Sequence, residues 1–528
     1  MALHDGARLA ATQSIIVVSV QYRVGVFGFL GGSIFAEQDP GPDPYFSDLL
    51  TYKANSTAEQ SNSDKKRFIH GNWGMWDVAA GLQWVQEHIG LFGGDPNQVT
   101  AFGESAGSIL IHYLMLSPSL PRLFSRAILQ SGTASSTLPR SCASADALMK
   151  HCLSTLGADV QSKPPKDQLE ALRSITTEKA MTILPRGLQR RPRTEYIPPT
   201  GGTLPSTRPA NVELGVSTLW GPNWDGVLVP EEFPTLLVQG HRTHNGAKGV
   251  MVGYTVDEGT CFSFTISDHA SLRNHIDTYS IRQRSLVRAL YQLEPRQDAI
   301  SASYAAAALL GDVVFHGPIL SLLQSLSWNP SSSRDGPRPP TWAYAFGMRP
   351  SPSLLASAYN NSDIIEEYFA ILHTAELPFV FSYDGGDEHS KIAGDQYGVD
   401  PDAPIRVQRR GPTNFDRDEV RVAAYVSNSW GAFVRGENDA LWEPVTAGSA
   451  EGDVEKINVL TLGDATQFGD KQPQVSKMIE VKTLGQTLFW QSRFSEKAGS
   501  VAKRMRLWMQ QAAKFDEFFG DPGFCQTY

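Results

Sequence analysis

One serine in the sequence has the surroundings of an enzymatic nucleophile. Ser105 lies in Gly103-Glu104-Ser105-Ala106-Gly107, a Gly-x-Ser-x-Gly pattern. The pattern directly follows an apolar run at residues 99–103, which predicts a strand, and directly precedes residues 106–116, which predict a helix. A strand, a tight turn between small residues and a helix form a nucleophile elbow, which holds the hydroxyl above a sheet and at the positive end of the helix. We therefore predict that Ser105 is a nucleophile.

A base and an acid should accompany this serine. A serine hydroxyl is a poor nucleophile unless a histidine removes its proton and a carboxylate orients that histidine. In the elbow fold these partners follow in the chain order acid, then histidine. Glu258 comes just after a predicted strand at residues 249–254, and Asp257 is equally well placed. Among 12 histidines, His373 lies downstream of the predicted strand at residues 341–346, where the base is expected, although a purely structural histidine would also fit there.

Strand and helix patterns alternate over most of the chain. Short apolar runs, many of them β-branched, are typical of strands that are buried on both faces of a parallel sheet. Their alternation with helical segments predicts an α/β fold, with a mostly parallel central sheet and helices on both faces. The predicted strands are residues 15–20, 99–103, 127–130, 249–254 and 341–346, and the predicted helices between them are residues 76–89 and 106–116.

Long polar excursions interrupt this pattern without dividing it. Strand candidates continue on both sides of the first two excursions, which favours a single domain over residues 1–528. Residues 475–490 and 500–518 predict amphipathic helices that face the core. The excursions rich in Pro, Gly or Ser are residues 190–210, 329–340, 385–416 and 448–474.

The composition excludes several functional classes. A net charge of −9 without long runs of like charge argues against nucleic acid or an anionic membrane as the main partner. Four scattered cysteines are too few for a disulfide scaffold, although Cys142 and Cys152 could either close a small loop or remain free thiols. His-Glu-x-x-His is absent, and the pair His241 and His244 is typical of a polar loop, so we predict no metal and no other cofactor.

The N-terminal region of the sequence as given predicts no export signal. Its most apolar stretch, residues 14–20, is too short to span a bilayer or to form the core of a signal peptide. The sequence therefore predicts no membrane span. We expect a cytoplasmic protein if this N-terminus is the natural one, and a secreted protein if the natural N-terminus is longer.

Several motifs occur together and in the order of one known family. They are Gln21-Tyr22-Arg23, Gly71-Asn72-Trp73-Gly74 with Asp77, Leu82-Gln83-Trp84-Val85, Phe92-Gly93-Gly94-Asp95-Pro96, Gly103-Glu104-Ser105-Ala106-Gly107-Ser108, Ala127-Ile128-Leu129-Gln130-Ser131-Gly132, Asp225-Gly226, Asp257-Glu258-Gly259, Glu376-Leu377-Pro378, and Trp430 with Trp442. With these motifs the chain resembles the type-B carboxylesterase/lipase family, the cholinesterase-like branch of the α/β hydrolases.

The resemblance implies a function and a set of site residues. It implies an α/β-hydrolase fold and a serine hydrolase that cleaves small-molecule or lipid esters of carboxylic acids through an acyl-enzyme. It implies Ser105 as the nucleophile and His373 as the base. It favours Glu258 over Asp257 as the acid. The supporting groups that it implies are an oxyanion-hole N–H at Ala106 and the side chains of Glu104 and Ser131.

The chain departs from the family at its start. The family's first strands and its His-Gly-Gly-Gly oxyanion loop would precede Ile15, and nothing there resembles them. We therefore expect an N-terminally shortened member with reduced activity, because the loss of one oxyanion donor typically costs about 10²–10³ in rate. The alternative is a catalytically impaired, cholinesterase-like binding or adhesion module.

Overall fold

The computed structural model describes a sheet and the helices around it. The described residues are 5–35, 71–182, 220–229, 247–273, 299–327, 339–348, 371–381, 415–445 and 459–462, apart from 118–119, 138, 141, 226, 266–269, 271 and 416. Several predicted segments lie outside the described residues: the excursion at residues 190–210 and the predicted helices at residues 475–490 and 500–518. The same holds for most residues of the other three excursions.

Five parallel strands form the sheet, and their order in space is their order in the chain. They are β1 (Thr100–Glu104), β2 (Arg126–Gln130), β3 (Gly249–Thr255), β4 (Thr341–Phe346) and β5 (Leu460–Leu462). Strands β3 and β4 are buried along their whole length, which explains why their sequences are almost continuously apolar. The sequence predicts the first four strands to within one residue at each end, whereas β5 is too short to be recognised.

The prediction of a strand at residues 15–20 is wrong. These residues have no regular secondary structure, and among the described strands β1 pairs with β2 alone. Ile16 and Val18 are 46% and 41% exposed, while Val20 packs against Gly81. A β-branched run favours extended backbone, but a strand also needs a neighbour that satisfies its N–H and C=O groups.

Helices flank the sheet between its strands. The predicted helix at residues 106–116 has these bounds in the structure, and the one predicted at residues 76–89 begins three residues earlier, at Trp73. The described helices are α1 (Ala7–Gln13), α2 (Gly25–Phe29), α3 (Trp73–His88), α4 (Ala106–Leu116), α5 (Cys142–Leu156), α6 (Ala158–Gln161), α7 (Pro165–Ser174), α8 (Thr177–Thr182), α9 (Ala299–Gly311), α10 (Gly317–Ser327), α11 (Leu377–Val380) and α12 (Arg417–Arg435).

Helices α9 and α10 belong to one long apolar segment. A π-helical turn, Asp312–His316, joins them directly. The stretch Ala305–Leu323 is long and apolar enough to cross a membrane, but most of it is buried inside the protein. Since α10 packs on β3 and β4, the segment has the environment of a core helix.

The 3₁₀ segment Glu258–Thr265 packs tightly against α9. A Cβ atom on Gly259 would lie 1.8 Å from the carbonyl oxygen of Ala307 and 2.5 Å from the backbone nitrogen of Gly311. Only glycine lets two backbones approach so closely. This contact fixes the start of the segment, where Glu258 lies, on the long core helix.

The two cysteines that could have closed a loop lie on one helix. Cys142 and Cys152 both belong to α5, and ten residues of α-helix span about 15 Å. A disulfide needs Cα atoms within about 7 Å of each other, so these two residues do not pair. Cys152 is a free, buried thiol, and its burial raises its pKa to about 12.

We expect Gly259→Ala to lower the free energy of unfolding by about 1–3 kcal/mol or more, which is the usual cost of overpacking. The added methyl group would meet backbone atoms of α9, and these cannot move aside as a flexible side chain can. Denaturant unfolding measures the change. Gly90→Ala is the matched control: nothing lies within 4 Å of its Cβ position, so its effect should stay within about 0.5 kcal/mol. Equal unfolding midpoints for the two variants would contradict the close packing.

Candidate active site

The turn between β1 and α4 holds Ser105 in a strained conformation. Its φ of 55° and ψ of −117° are unusual for a residue with a side chain, and such conformations cost about 1–3 kcal/mol. A Cβ atom on Gly103 would lie 2.6 Å from the carbonyl carbon of Gly107, so the tight turn requires a glycine before the serine. Ser105 is half-buried, and the first helical residue, Ala106, is exposed. The arrangement is that of a nucleophile elbow, with the Ala106 N–H at the positive end of α4.

Of the two adjacent acids at residues 257 and 258, Glu258 is the one whose carboxylate lies against His373 Nδ1. Glu258 Oε2 lies 2.5 Å from His373 Nδ1, and Glu258 Oε1 accepts a hydrogen bond of 2.8 Å from the backbone N–H of Thr255. Asp257 is also buried, but its backbone pairs with the segment before His373, donating from its N–H to the carbonyl of Ile371 at 3.2 Å. The two adjacent acidic residues, which spacing alone could not separate, therefore have different surroundings.

The other ring nitrogen of His373 faces a second carboxylate. His373 Nε2 lies 3.0 Å from Glu104 Oε1, within ion-pair distance but outside the angular range of a hydrogen bond. His373 Nε2 has no hydrogen-bond partner in the described part of the chain, so no hydrogen bond joins it to the Ser105 hydroxyl. Catalytic contacts of this kind often tighten only when a substrate is bound.

Three carboxylates surround His373 and change its proton affinity. Burial acts to lower the pKa of His373, but the charges of Glu104 and Glu258 outweigh it and raise this pKa to about 9. Burial raises the pKa of Glu104 well above its ordinary value. Burial and the charge of Glu258 raise the pKa of Glu376 to about 7. Groups this close share their protons, so the cluster titrates as a unit.

Glu258 remains the most acidic member of the cluster. Burial acts to raise its pKa, but the charge and hydrogen bond of His373, the hydroxyl of Ser131 and the charge of His316 lower this pKa below its ordinary value. Ser131 lies in a sharp turn after β2, with φ of 53°. Its backbone N–H donates to the carbonyl of Gly253 at 2.8 Å, which fixes it beside β3.

Aromatic rings enclose the histidine and exclude water from it. The ring centroids of Phe315 and Phe262 lie 4.7 Å and 5.2 Å from that of His373. Glu376 is held by a chain of hydrogen bonds: Gln130 Nε2 donates to its Oε1 at 3.0 Å, and Trp430 Nε1 donates to Gln130 Oε1 at 3.2 Å. Glu376, Gln130 and Trp430 all lie in motifs of the sequence, but the motifs predict no role for these three side chains. Sequence reasoning missed both phenylalanines, which no local pattern distinguishes from core residues.

Comparison with known proteins places the chain in a family. The model of the carboxylesterase family matches residues 62–396. The chain belongs to the carboxylesterase family. It is 28% identical over 397 residues to the para-nitrobenzyl esterase of Bacillus subtilis. This alignment covers 74% of the chain and 62% of that relative. It is also 34% identical over 183 residues to carboxylesterase 5A of Mus musculus (34% of the chain, 26% of that relative) and 42% identical over 130 residues to the acetylcholinesterase of Danio rerio (25% and 16%).

Solved structures agree on the architecture. A PNB esterase structure aligns with a TM-score of 0.56 at 22% identity, covering 88% of the chain and 72% of that structure. The chain therefore has the α/β-hydrolase fold. It spans less than two thirds of the length of the curated relatives named above. In the described residues, no group of three or more His, Cys, Asp or Glu side chains is arranged to hold a metal ion.

The charge cluster predicts an unusual pH dependence for ester hydrolysis at this site. With His373 as the general base that the resemblance implies, kcat/KM for an aryl ester should rise with pH to a midpoint above 7, because the base must be neutral and the pKa of His373 is raised to about 9. Glu104→Gln removes the charge that raises this pKa most, so the midpoint should move to lower pH. The pH profile of kcat/KM measures both effects.

Glu87→Gln is the matched control for this prediction, because Glu87 is an exposed carboxylate on α3 that accepts a hydrogen bond from Gln83. Its midpoint should equal that of the unaltered protein. An unchanged or higher midpoint in Glu104→Gln would show that Glu104 does not set the proton affinity of His373.

Proposed function

We propose that this chain hydrolyses carboxylic esters, with Ser105 as nucleophile, His373 as general base and Glu258 as the acid that orients the histidine. The observation that carries the proposal is the buried contact between Glu258 and His373, at the same carboxyl edge of the sheet as the elbow that presents Ser105. Family membership and the name of the para-nitrobenzyl esterase relative support the same chemistry.

The reaction has two halves. His373 Nε2 removes the proton of Ser105 as its oxygen attacks the ester carbonyl carbon. The tetrahedral intermediate then collapses, the ester bond breaks, and His373 returns the proton to the departing alcohol. Water, deprotonated by the same nitrogen, attacks the acyl-enzyme; the bond between the acyl carbon and Ser105 Oγ breaks, His373 returns the proton to Ser105, and the carboxylic acid leaves. The N–H of Ala106 donates a hydrogen bond to the oxyanion in both halves.

The contact between Glu104 and His373 belongs to the resting site in this proposal. For catalysis the Nε2 atom must face Ser105 and carry no proton. A neutral, protonated Glu104 releases the imidazole, and its burial favours the protonated form. Ser131 supports the acid from the other side, since its hydroxyl favours the ionised form of Glu258.

The aromatic surroundings of the site favour an apolar small-molecule or lipid ester as substrate. Phe262 and Phe315 exclude water from the imidazole, which strengthens every charge interaction around it. The residues of the site follow strands β1 to β4 of one sheet, which supports a single domain over residues 1–528.

A burst experiment tests the nucleophile. With a p-nitrophenyl ester in stopped flow, the proposal predicts a burst of nitrophenol close to one equivalent per enzyme if deacylation is slower than acylation, because each Ser105 is acylated once before turnover. Ser105→Ala should show neither the burst nor the turnover. Retention of both in the folded variant would exclude Ser105 as the nucleophile, whereas a protein without any esterase activity would favour a binding module.

Paired substitutions test the acid. Glu258→Gln keeps the size of the side chain and removes the charge that stabilises the imidazolium, so we expect kcat to fall by about 10³–10⁴. Asp257→Asn should lower kcat by less than about 10-fold, since the described contacts of Asp257 with this region are made by its backbone, which the substitution leaves in place. Circular dichroism establishes folding, and activity is compared per folded molecule. If the effects came out reversed, Asp257 would be the acid.

A further inference from the structure

A second buried histidine lies behind the acid of the proposed triad. His316 ends the π-helical turn Asp312–His316 between α9 and α10. Such turns are rare and frequently occur at functional sites. Here two consecutive buried residues both pack against the surroundings of Glu258. The ring centroid of Phe315 lies 4.7 Å from that of His373, and the ring centroid of His316 lies 5.0 Å from that of Tyr254 in β3.

Both ring nitrogens of His316 face groups that only accept hydrogen bonds. Nδ1 lies 3.1 Å from Oδ1 of Asp312, and Nε2 lies 3.2 Å from the carbonyl oxygen of Thr255. A neutral imidazole has one N–H and can satisfy only one of these acceptors. The doubly protonated imidazolium satisfies both. With Asp312 ionised, the geometry therefore selects the charged form of His316.

Thr255 connects this histidine with Glu258. Its carbonyl faces His316 Nε2, and its own N–H donates to Glu258 Oε1 at 2.8 Å. The other carboxylate oxygen, Oε2, contacts His373. Glu258 is thus held between His373 and a backbone residue that His316 anchors from behind.

The groups that face His316 come from three elements. Asp312 lies on its own π-helical turn, Glu258 on the 3₁₀ segment, and Tyr254 at the end of β3. Burial acts to lower the pKa of His316, but the hydrogen bond and charge of Asp312 and the charge of Glu258 outweigh it, so this pKa is raised. In return the charge of His316 lowers the pKa of Glu258.

We propose that His316 is a positioning residue for ester hydrolysis: held as an imidazolium by Asp312, it anchors Thr255 and keeps Glu258 ionised and aimed at His373. This inference rests on the function proposed above. Asp312 and His316 form a second histidine–carboxylate pair, buried behind the pair of Glu258 and His373. The charge of His316 acts on Glu258 and not on the substrate.

Nuclear magnetic resonance of the ring nitrogens tests the charge directly. In protein labelled with ¹⁵N-histidine, the His316 signals are those that disappear in His316→Gln. We expect both ring nitrogens to be protonated at pH 7. A single protonated nitrogen at that pH would overturn the proposal. Because this measurement needs no substrate, it holds whether or not the chain hydrolyses esters.

The positioning role is tested by titration and by kinetics. His316→Gln removes a buried cation, so the titration midpoint of His373 and the acid limb of kcat/KM should both move up by about half a pH unit or more. We expect kcat/KM for a p-nitrophenyl ester to fall about 10-fold at pH 7, as is typical when a partner behind a site is lost. A purely structural role would lower the activity equally at all pH values and leave both midpoints in place, which would overturn the proposal.

Two further variants complete the test. His88→Gln makes the same substitution at an exposed histidine on α3 and should leave both midpoints unchanged. Asp312→Asn keeps the size of the side chain but removes its charge, so His316 should lose its second proton at a lower pH. This variant and the resonances of the unaltered protein decide the question if His316→Gln does not fold. Loss of esterase activity in every protein, with His316 still doubly protonated and the His373 midpoint still shifted, would refute the proposed function alone.

Discussion

The buried contact between Glu258 and His373 is the constraint on which the rest of the site depends. A carboxylate that loses all contact with water is costly unless it is paired and its lone pairs are satisfied. Glu258 has no exposed surface, and both of its oxygens have partners. To provide them, the chain must end β3 at Thr255, begin a 3₁₀ segment at once, and bring His373 from a loop more than a hundred residues later. The close approach of Gly259 to α9 is what makes that abrupt change of direction possible.

Charge in this core is balanced collectively and not by separate pairs. Glu104, Glu258 and Glu376 lie around His373, and Asp312 with His316 lies behind them. Burial raises the pKa values of Glu104 and Glu376, and the negative charges of the neighbouring carboxylates raise them further. Burial also acts to raise the pKa of Glu258, but the charge and hydrogen bond of His373 outweigh it and lower this pKa. Among the three acids Glu258 alone has a lowered pKa, and its carboxylate has the shortest hydrogen bonds.

The sequence predicts those parts of the fold that local pattern determines. Strands β1 to β4 and helix α4 are recognisable because burial on both faces leaves continuous apolar runs and the elbow marks where strand becomes helix. Residues 15–20 are equally rich in β-branched side chains, but no described strand pairs with them. The local sequence does not show whether a strand has a partner, so it could not predict this outcome. Adjacent acids cannot be separated by spacing, since only the turn after β3 decides that Glu258 and not Asp257 faces His373. Phe315 and His316 are equally hidden, because a π-helical turn changes which side chains face the site without leaving any mark in the sequence.

The backbone strain at Ser105 has a consequence for how such proteins diverge. Glycine adopts a positive φ without the steric cost that serine bears, so replacing the nucleophile with glycine would relieve strain of about 1–3 kcal/mol. Selection for hydrolysis and selection for stability therefore oppose each other at this one position. A lineage that no longer needed to hydrolyse esters would gain stability by replacing Ser105, the proposed nucleophile, with glycine, and the scaffold would then remain for recognition alone.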